Sequence, residues 1–310
     1  MTMFLQLASA MLPALLAQPL PQSPPDRGEV VIALGGDAQP FRDAAQAATR
    51  RLVAEGFRTR HLSEAAARQW RPADGDRPRA VVAIGTQAAV GLKSRLGDLA
   101  LVYCMVADPK AAGLEGSEHI AGVTTAVPLG PQLELIRETL PACRSVGMLY
   151  RSGATGGVDP EQVRAALPEQ LSLQAVDISK CTSVAAAIDQ LLALDVDVVW
   201  TAPDNTVFDA ATVQTLLLRS LQAGVPVFGF SASCVRAGAV FGVSVDPADQ
   251  GTQCAELLSS VLDPQQPKAM PSAPVAPTFV ACVNPKVAEH LKVTLPPSVR
   301  ARAQEVVKSR

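Results

Sequence analysis

Aromatic side chains are scarce in this chain, at 4% of 310 residues, and neither sign of charge dominates: the formal net charge is -2. The first scarcity disfavours a β-sandwich filled by aromatic residues and favours helices packed on parallel strands. The second leaves no basic stripe to neutralise a phosphate backbone and no polybasic segment to hold an anionic membrane, so nucleic acid is not an expected partner.

Metal and redox signatures are missing as well. The three histidines, His61, His119 and His290, stand apart from one another with no metal-site spacing to Cys, Asp or Glu, so no metal and no cofactor is expected. The six cysteines, Cys104, Cys143, Cys181, Cys234, Cys254 and Cys282, form no CxxC. Neither a zinc knuckle nor a thioredoxin-like pair is suggested, buried thiols are the simpler reading, and sequence alone assigns no disulfide.

Signatures of nucleotide binding and nucleophilic catalysis are equally poor. Gly35-Gly36-Asp37 is not GxGxxG, no GxxxxGKS/T occurs, and Gly229-Phe230-Ser231-Ala232-Ser233 ends in Ser where a nucleophile elbow needs Gly. With no recognisable nucleophile and base, the chain is not expected to be an enzyme.

Apolar runs long enough to span a bilayer are lacking. The opening stretch from Met1 to Leu20, followed by prolines through Pro25, reads as a secretory signal although it has no Lys or Arg at its start. Residues 1–27 are therefore assigned to a signal peptide and linker, and the mature chain to the periplasm. No lipobox cysteine follows the apolar stretch, so a lipid anchor by that route is not expected.

What the chain has instead is aliphatic bulk, with 48% hydrophobic residues at a length that suits two lobes. Short apolar runs alternate with amphipathic segments. Glu29–Leu34, Ala80–Ile84 and Leu99–Val106 read as strands, Pro40–Glu55 as a helix with Phe41, Ala45, Ala48 and Leu52 on one side, and Gly56–Leu62 as an edge strand. The pattern restarts with a helix over Leu129–Leu140 and strands at Ser145–Tyr150, Ser172–Ile178, Val196–Trp200 and Val225–Phe230. Helices at Val184–Leu194 and Ala210–Gln222 lie between them. Parallel strands need right-handed crossovers, so the fold class is α/β with two Rossmann-like, doubly wound lobes.

In such sheets ligands bind beyond the carboxyl ends of the strands, where helix N-termini offer free N–H groups. The residues at those ends are Gly36, Asp37, Thr86, Gln87 and Asp108 in the first half, and Arg151, Ser152, Asp204, Asn205, Ser231 and Ser233 in the second. Most are small hydrogen-bonding groups, which suits a polar solute; helix capping is the competing role for each. Thr86 after Gly85 is the candidate for an anionic group, Asp204 for a cationic one, and Phe41 and Phe230 for an apolar wall.

The runs Ala83-Ile84-Gly85-Thr86-Gln87, Met105-Val106-Ala107-Asp108-Pro109, Gly122-Val123-Thr124, Pro203-Asp204-Asn205-Thr206-Val207, Asp249-Gln250-Gly251 and Val283-Asn284-Pro285-Lys286 resemble the tryptophan/tyrosine-type ABC transporter substrate-binding proteins. The likeness spans nearly the whole mature chain, in order. It implies a type I periplasmic-binding fold, two lobes joined by three crossing segments with the ligand between them. On that plan residues 28–123 plus 239–266 form the first lobe and 124–238 plus 267–310 the second. The stretch from Ala239 to Leu262 would add a strand and a helix to the first lobe, before a last crossing around Pro271 to Phe279.

The resemblance further implies a monomer that delivers a small-molecule ligand, an amino acid or a relative, to an ABC permease of the inner membrane with a separate ATPase. Carboxylate capture falls at Thr86 and Gln87, ammonium capture near Asp204. A ligand-sensing module that passes occupancy to a separate signalling partner is the alternative. Two positions depart from the family pattern: Arg151-Ser152 replaces Asn-Pro, and Thr124-Thr125 replaces Ser-Asp. Both border the cleft, so the solute need not be an aromatic amino acid.

Overall fold

The computed structural model describes residues 26–73, 77–154, 157–204, 206–263, 265 and 269–306, so the expected signal segment through residue 25 lies outside the described residues. Strands β1 (Glu29–Leu34), β2 (Arg58–Leu62), β3 (Ala80–Ile84), β4 (Ala100–Val106) and β5 (Ile120–Thr124) form a parallel sheet in the order β2-β1-β3-β4-β5. Helices α1 (Gln39–Ala54), α2 (Glu64–Ala67) and α3 (Thr86–Lys93) connect them.

Both faces of this sheet are buried, and the alternation of side chains sorts them. Val30, Ile32, Ala80, Val82, Ile84, Val102 and Cys104 enter one core; Val31, Ala33, Val81, Ala83, Leu101 and Tyr103 enter the other. Near-continuous aliphatic runs are the sequence form of a strand covered on both sides.

After β5 the chain enters α4 (Leu129–Thr139) and a second unit. Strands β6 (Ser145–Tyr150), β7 (Ser172–Asp177), β8 (Val198–Trp200) and β9 (Val227–Gly229) are joined by α5 (Pro160–Ala166), α6 (Val184–Leu192) and α7 (Ala210–Ala223). Polar caps set the helix limits: Asp209 Oδ1 accepts the Thr212 N–H at 2.7 Å at the start of α7, and Gly224 ends it in the left-handed region. Helix α8 (Ala232–Ala237) then leads into β10 (Phe241–Ser244). Next come α9 (Pro247–Val261), β11 (Val280–Val283), α10 (Pro285–His290), α11 (Pro297–Arg302) and the short β12 (Gln304–Glu305). The second sheet has seven strands in the order β12-β11-β10-β9-β8-β6-β7.

One expectation is corrected here. The strand within Ala239–Leu262 belongs to the second sheet, where β10 pairs parallel with β9 and antiparallel with β11; only α9 returns to pack on α1. Phe241 and Val243 face the second core, and Gly242 lies so close to Gly229 that any side chain would strike its carbonyl. The chain thus recrosses after Ser244, not near Gly238. A further difference is the antiparallel β11, which makes this sheet mixed. It is fed by a crossing from the edge of the first sheet, where Val275 pairs with Val123, and so enters against its neighbour's direction.

Candidate functional site

The first sheet presents its strand ends as a shallow rim. Phe41, in the first turn of α1, lays its ring over Gly36 and Gly85: a Cβ on either glycine would come within 3.0 Å of the ring. Gly85 has φ 95°, a conformation that glycine adopts without strain, and it opens α3 with no side-chain cap. Thr86 and Gln87 are exposed on that uncapped turn, and Gln87 Oε1 accepts from Arg68 at 3.4 Å. Asp37 is exposed, and its backbone carbonyl accepts from Arg42. Asp108 Oδ1 accepts the Ala111 N–H at 2.8 Å, a turn-capping bond.

The second sheet's rim is built around two carboxylates. Asp177, at the end of β7, accepts the N–H of Ser152 at 3.2 Å and both the N–H and O–H of Ser179, at 3.0 and 2.7 Å. Burial opposes its charge, but these hydrogen bonds outweigh burial and hold the carboxyl well below the ordinary range. Asp204, at the end of β8, is 5% exposed. Its Oδ1 accepts the N–H and O–H of Thr206 at 2.8 and 2.7 Å, and its Oδ2 faces Gly157. Among the described residues no Lys, Arg or His forms an ion pair with it.

The same Thr206 brings Arg151 to this loop, because Arg151 Nε donates to its carbonyl at 2.9 Å. Asn205 lies outside the described residues. Ser231 caps α8 by accepting the Cys234 N–H at 3.2 Å, and its hydroxyl is 2.9 Å from that of Ser233.

Between the two rims is a cavity of about 210 Å³, lined by Met105 and Thr125 on one side and by Val127, Gln132, Pro203, Phe230, Ser231 and Val243–Val245 on the other. Both sheets therefore direct strand ends toward one space. Of the sequence-predicted residues, Phe230 and Ser231 line this cavity, while Gly36, Asp37, Phe41, Thr86, Gln87, Asp108, Arg151 and Asp204 lie outside its wall. Among the described residues no hydrogen bond or ion pair joins those of the first rim to those of the second, so the rims are not clasped. A larger groove, about 750 Å³, runs along α7 and α8, but its wall is mostly apolar and its Asp209 is occupied as a cap.

Sequence reasoning missed Met105 and Gln132. Met105 interrupts the ladder at the end of β4, where the register with β5 shifts and φ reaches 58°. Non-glycine residues held in that region cluster at functional sites. Gln132 is buried on α4, accepting from Trp200 Nε1 at 3.1 Å and donating to the Val127 carbonyl at 2.6 Å. The signal for it was a lone amide within the apolar stripe of a helix.

A model of the ABC transporter substrate binding protein family matches residues 54–307. The chain belongs to that family. As such it is the substrate-binding component of an ABC transporter, a binder of a small solute rather than an enzyme, working with a membrane permease and its ATPase. Among solved structures, this substrate-binding protein is similar to an ABC domain from Streptococcus pneumonia in complex with L-Trp, at 22% identity and TM-score 0.60, covering 89% of this chain and 99% of that one. A conserved domain protein from Vibrio cholerae gives 25% identity and TM-score 0.62, covering 90% and 99%. The ligand-free, open substrate-binding protein with adhesive properties from Clostridium difficile gives 17% and 0.72, covering 91% and 100%. No curated protein matches the chain significantly. The two sheets with their covering helices are the two lobes of a type I periplasmic-binding fold. No helix among the described residues is long and apolar enough to cross a membrane.

Proposed function

We infer that this substrate-binding protein captures a small polar solute with a cationic amine, an amino acid or a related compound, and passes it to an inner-membrane permease driven by a separate ATPase. The observation that carries the reading is Asp204, a carboxylate 5% exposed with no cationic partner among the described residues. A charge taken out of water is costly unless paired, and a ligand ammonium supplies the pair. Thr86 and Gln87 on the uncapped start of α3 supply N–H groups and a favourable helix dipole for the carboxylate of the same ligand.

Gly36, Asp37, Phe41 and Asp108 complete the first rim of this proposed site, and Arg151, Asn205 and Ser231 the second. Closure about the crossing segments would bring the rims together and bury the solute, and the need to satisfy every polar group of the ligand would set selectivity. The expected signal segment assigns the chain to the periplasm, where it would act as a monomer.

The test is a thermal-shift and calorimetric screen of L-amino acids, simple amines, sugars and inositols against the purified protein. Stabilisation by an amine-bearing solute, lost in Asp204→Asn, supports the reading. Stabilisation by an uncharged sugar alone would overturn it.

A further inference from the structure

Two thiols meet beneath the cleft. Cys104 lies on β4 next to Met105, and Cys254 lies on α9 one turn beyond Gln250; both are fully buried. Helix α9 packs across β4, and the Cys254 thiol donates to the Val102 carbonyl at 3.7 Å. Val102 and Cys104 are two residues apart on one strand, so their side chains share the face toward α9. Cys104, Val102 and Cys254 belong to one buried cluster between β4 and α9, and the neighbouring Cys104 thiol together with burial pushes the Cys254 thiol up from its ordinary value.

The remaining cysteines find partners other than sulfur. Cys143 points to the Ser145 carbonyl and Cys181 to the Asp177 carbonyl and Gln190 Oε1, while Cys234 and Cys282 pack in a core cluster of the second lobe. Sulfur beside sulfur is thus particular, among the described residues, to strand β4 and helix α9.

We propose that Cys104 and Cys254 are a disulfide-forming pair that staples α9 to β4 when the protein folds in an oxidising compartment. Each thiol gives up its hydrogen, one S–S bond forms, and the two electrons and two protons reduce one molecule of a small disulfide, such as oxidised glutathione, to two thiols. Burial directs this exchange to folding, before α9 docks, because a raised thiol shielded from solvent reacts slowly in the native state. The bridge closes a loop that contains strands β6 to β10, so it restrains the unfolded chain across the whole first passage through the second lobe. It also anchors α9 one turn from the amide that holds the cleft-lining Met105. The inference does not depend on which solute is bound.

The full-length chain is refolded from guanidinium in a glutathione redox buffer, alkylated under denaturing conditions, and mapped without reduction. The expected map shows a cross-linked peptide joining Cys104 to Cys254, with the other four of the six cysteines alkylated. The oxidised protein melts about 5 °C or more above the reduced one. In Cys104→Ala and Cys254→Ala the cross-link and the gap in melting temperature both vanish. Six alkylated cysteines, or a bridge between different positions, in a cooperatively melting refolded chain overturns the proposal.

Discussion

The backbone N–H of Met105 donates to Oε1 of Gln250 at 3.1 Å, and the same amide donates from Nε2 to the carbonyl of Thr124 at 3.2 Å. One fully buried side chain therefore ties together the ends of β4 and β5, at the point where the chain leaves the first lobe. The left-handed turn at Met105 takes its N–H out of the ladder, and Gln250 supplies the acceptor that the strand no longer offers.

Replacing Gln250 with Leu removes both bonds and leaves an N–H and a carbonyl without partners. We predict a loss of about 2–4 kcal/mol, read by urea denaturation. Affinity for the solute falls with it, because Met105 lines the cavity. Unchanged stability would show that water or relaxed backbone replaces the amide.

Gly251, next along α9, lies where any side chain would strike the carbonyl of Ala44 on α1. Since that atom is backbone, it cannot swing aside. Gly251→Ala is predicted to push the helices apart at a cost of about 1–3 kcal/mol. A substitution tolerated with no change in the melting curve would mean that the two helices are not held at this spacing.

At Asp204 two roles can be separated. Asn keeps an oxygen to accept from Thr206 but removes the charge, whereas Ala removes both. Asp204→Asn is predicted to keep the melting temperature of the free protein and to weaken an amine-bearing solute by tenfold or more, on the order of 2 kcal/mol. Asp204→Ala should add a loss of stability. Titration calorimetry on both variants decides between a turn-forming residue and a ligand contact.

Asp177 makes stability depend on pH in a defined direction. Its carboxyl is held below the ordinary value, so its contribution is complete above about pH 4 and declines as the pH falls toward the lowered folded value. Asp177→Ala should therefore cost about 2 kcal/mol at neutral pH and less at pH 3, measured by urea melts. A penalty that grows in acid would contradict the hydrogen-bonded, ionised state.

Much of the fold was legible in the sequence because burial leaves a local trace. The aliphatic runs of β3 and β6 reveal their elements from a few neighbouring residues. The candidate site was legible only as a class of residues at strand ends. Asp108 and Ser231 show why: both spend hydrogen bonds on capping, and a polar residue after a strand reads the same whether it caps a turn or meets a solute. Met105 and Gln132 were hidden for the opposite reason, being an apolar residue and an amide inside segments that read as core.

The sequence by itself determined the two α/β units, the order of their elements and membership of the substrate-binding family, since these rest on periodicity and on residues close together in the chain. Tertiary structure alone decided that Phe241–Ser244 joins the second sheet, that Val275 borders the first, and that Met105, Gln132 and Ser231 share one cavity. A short apolar strand can pair with either sheet, and the choice is made by how side chains from distant segments fill a common space.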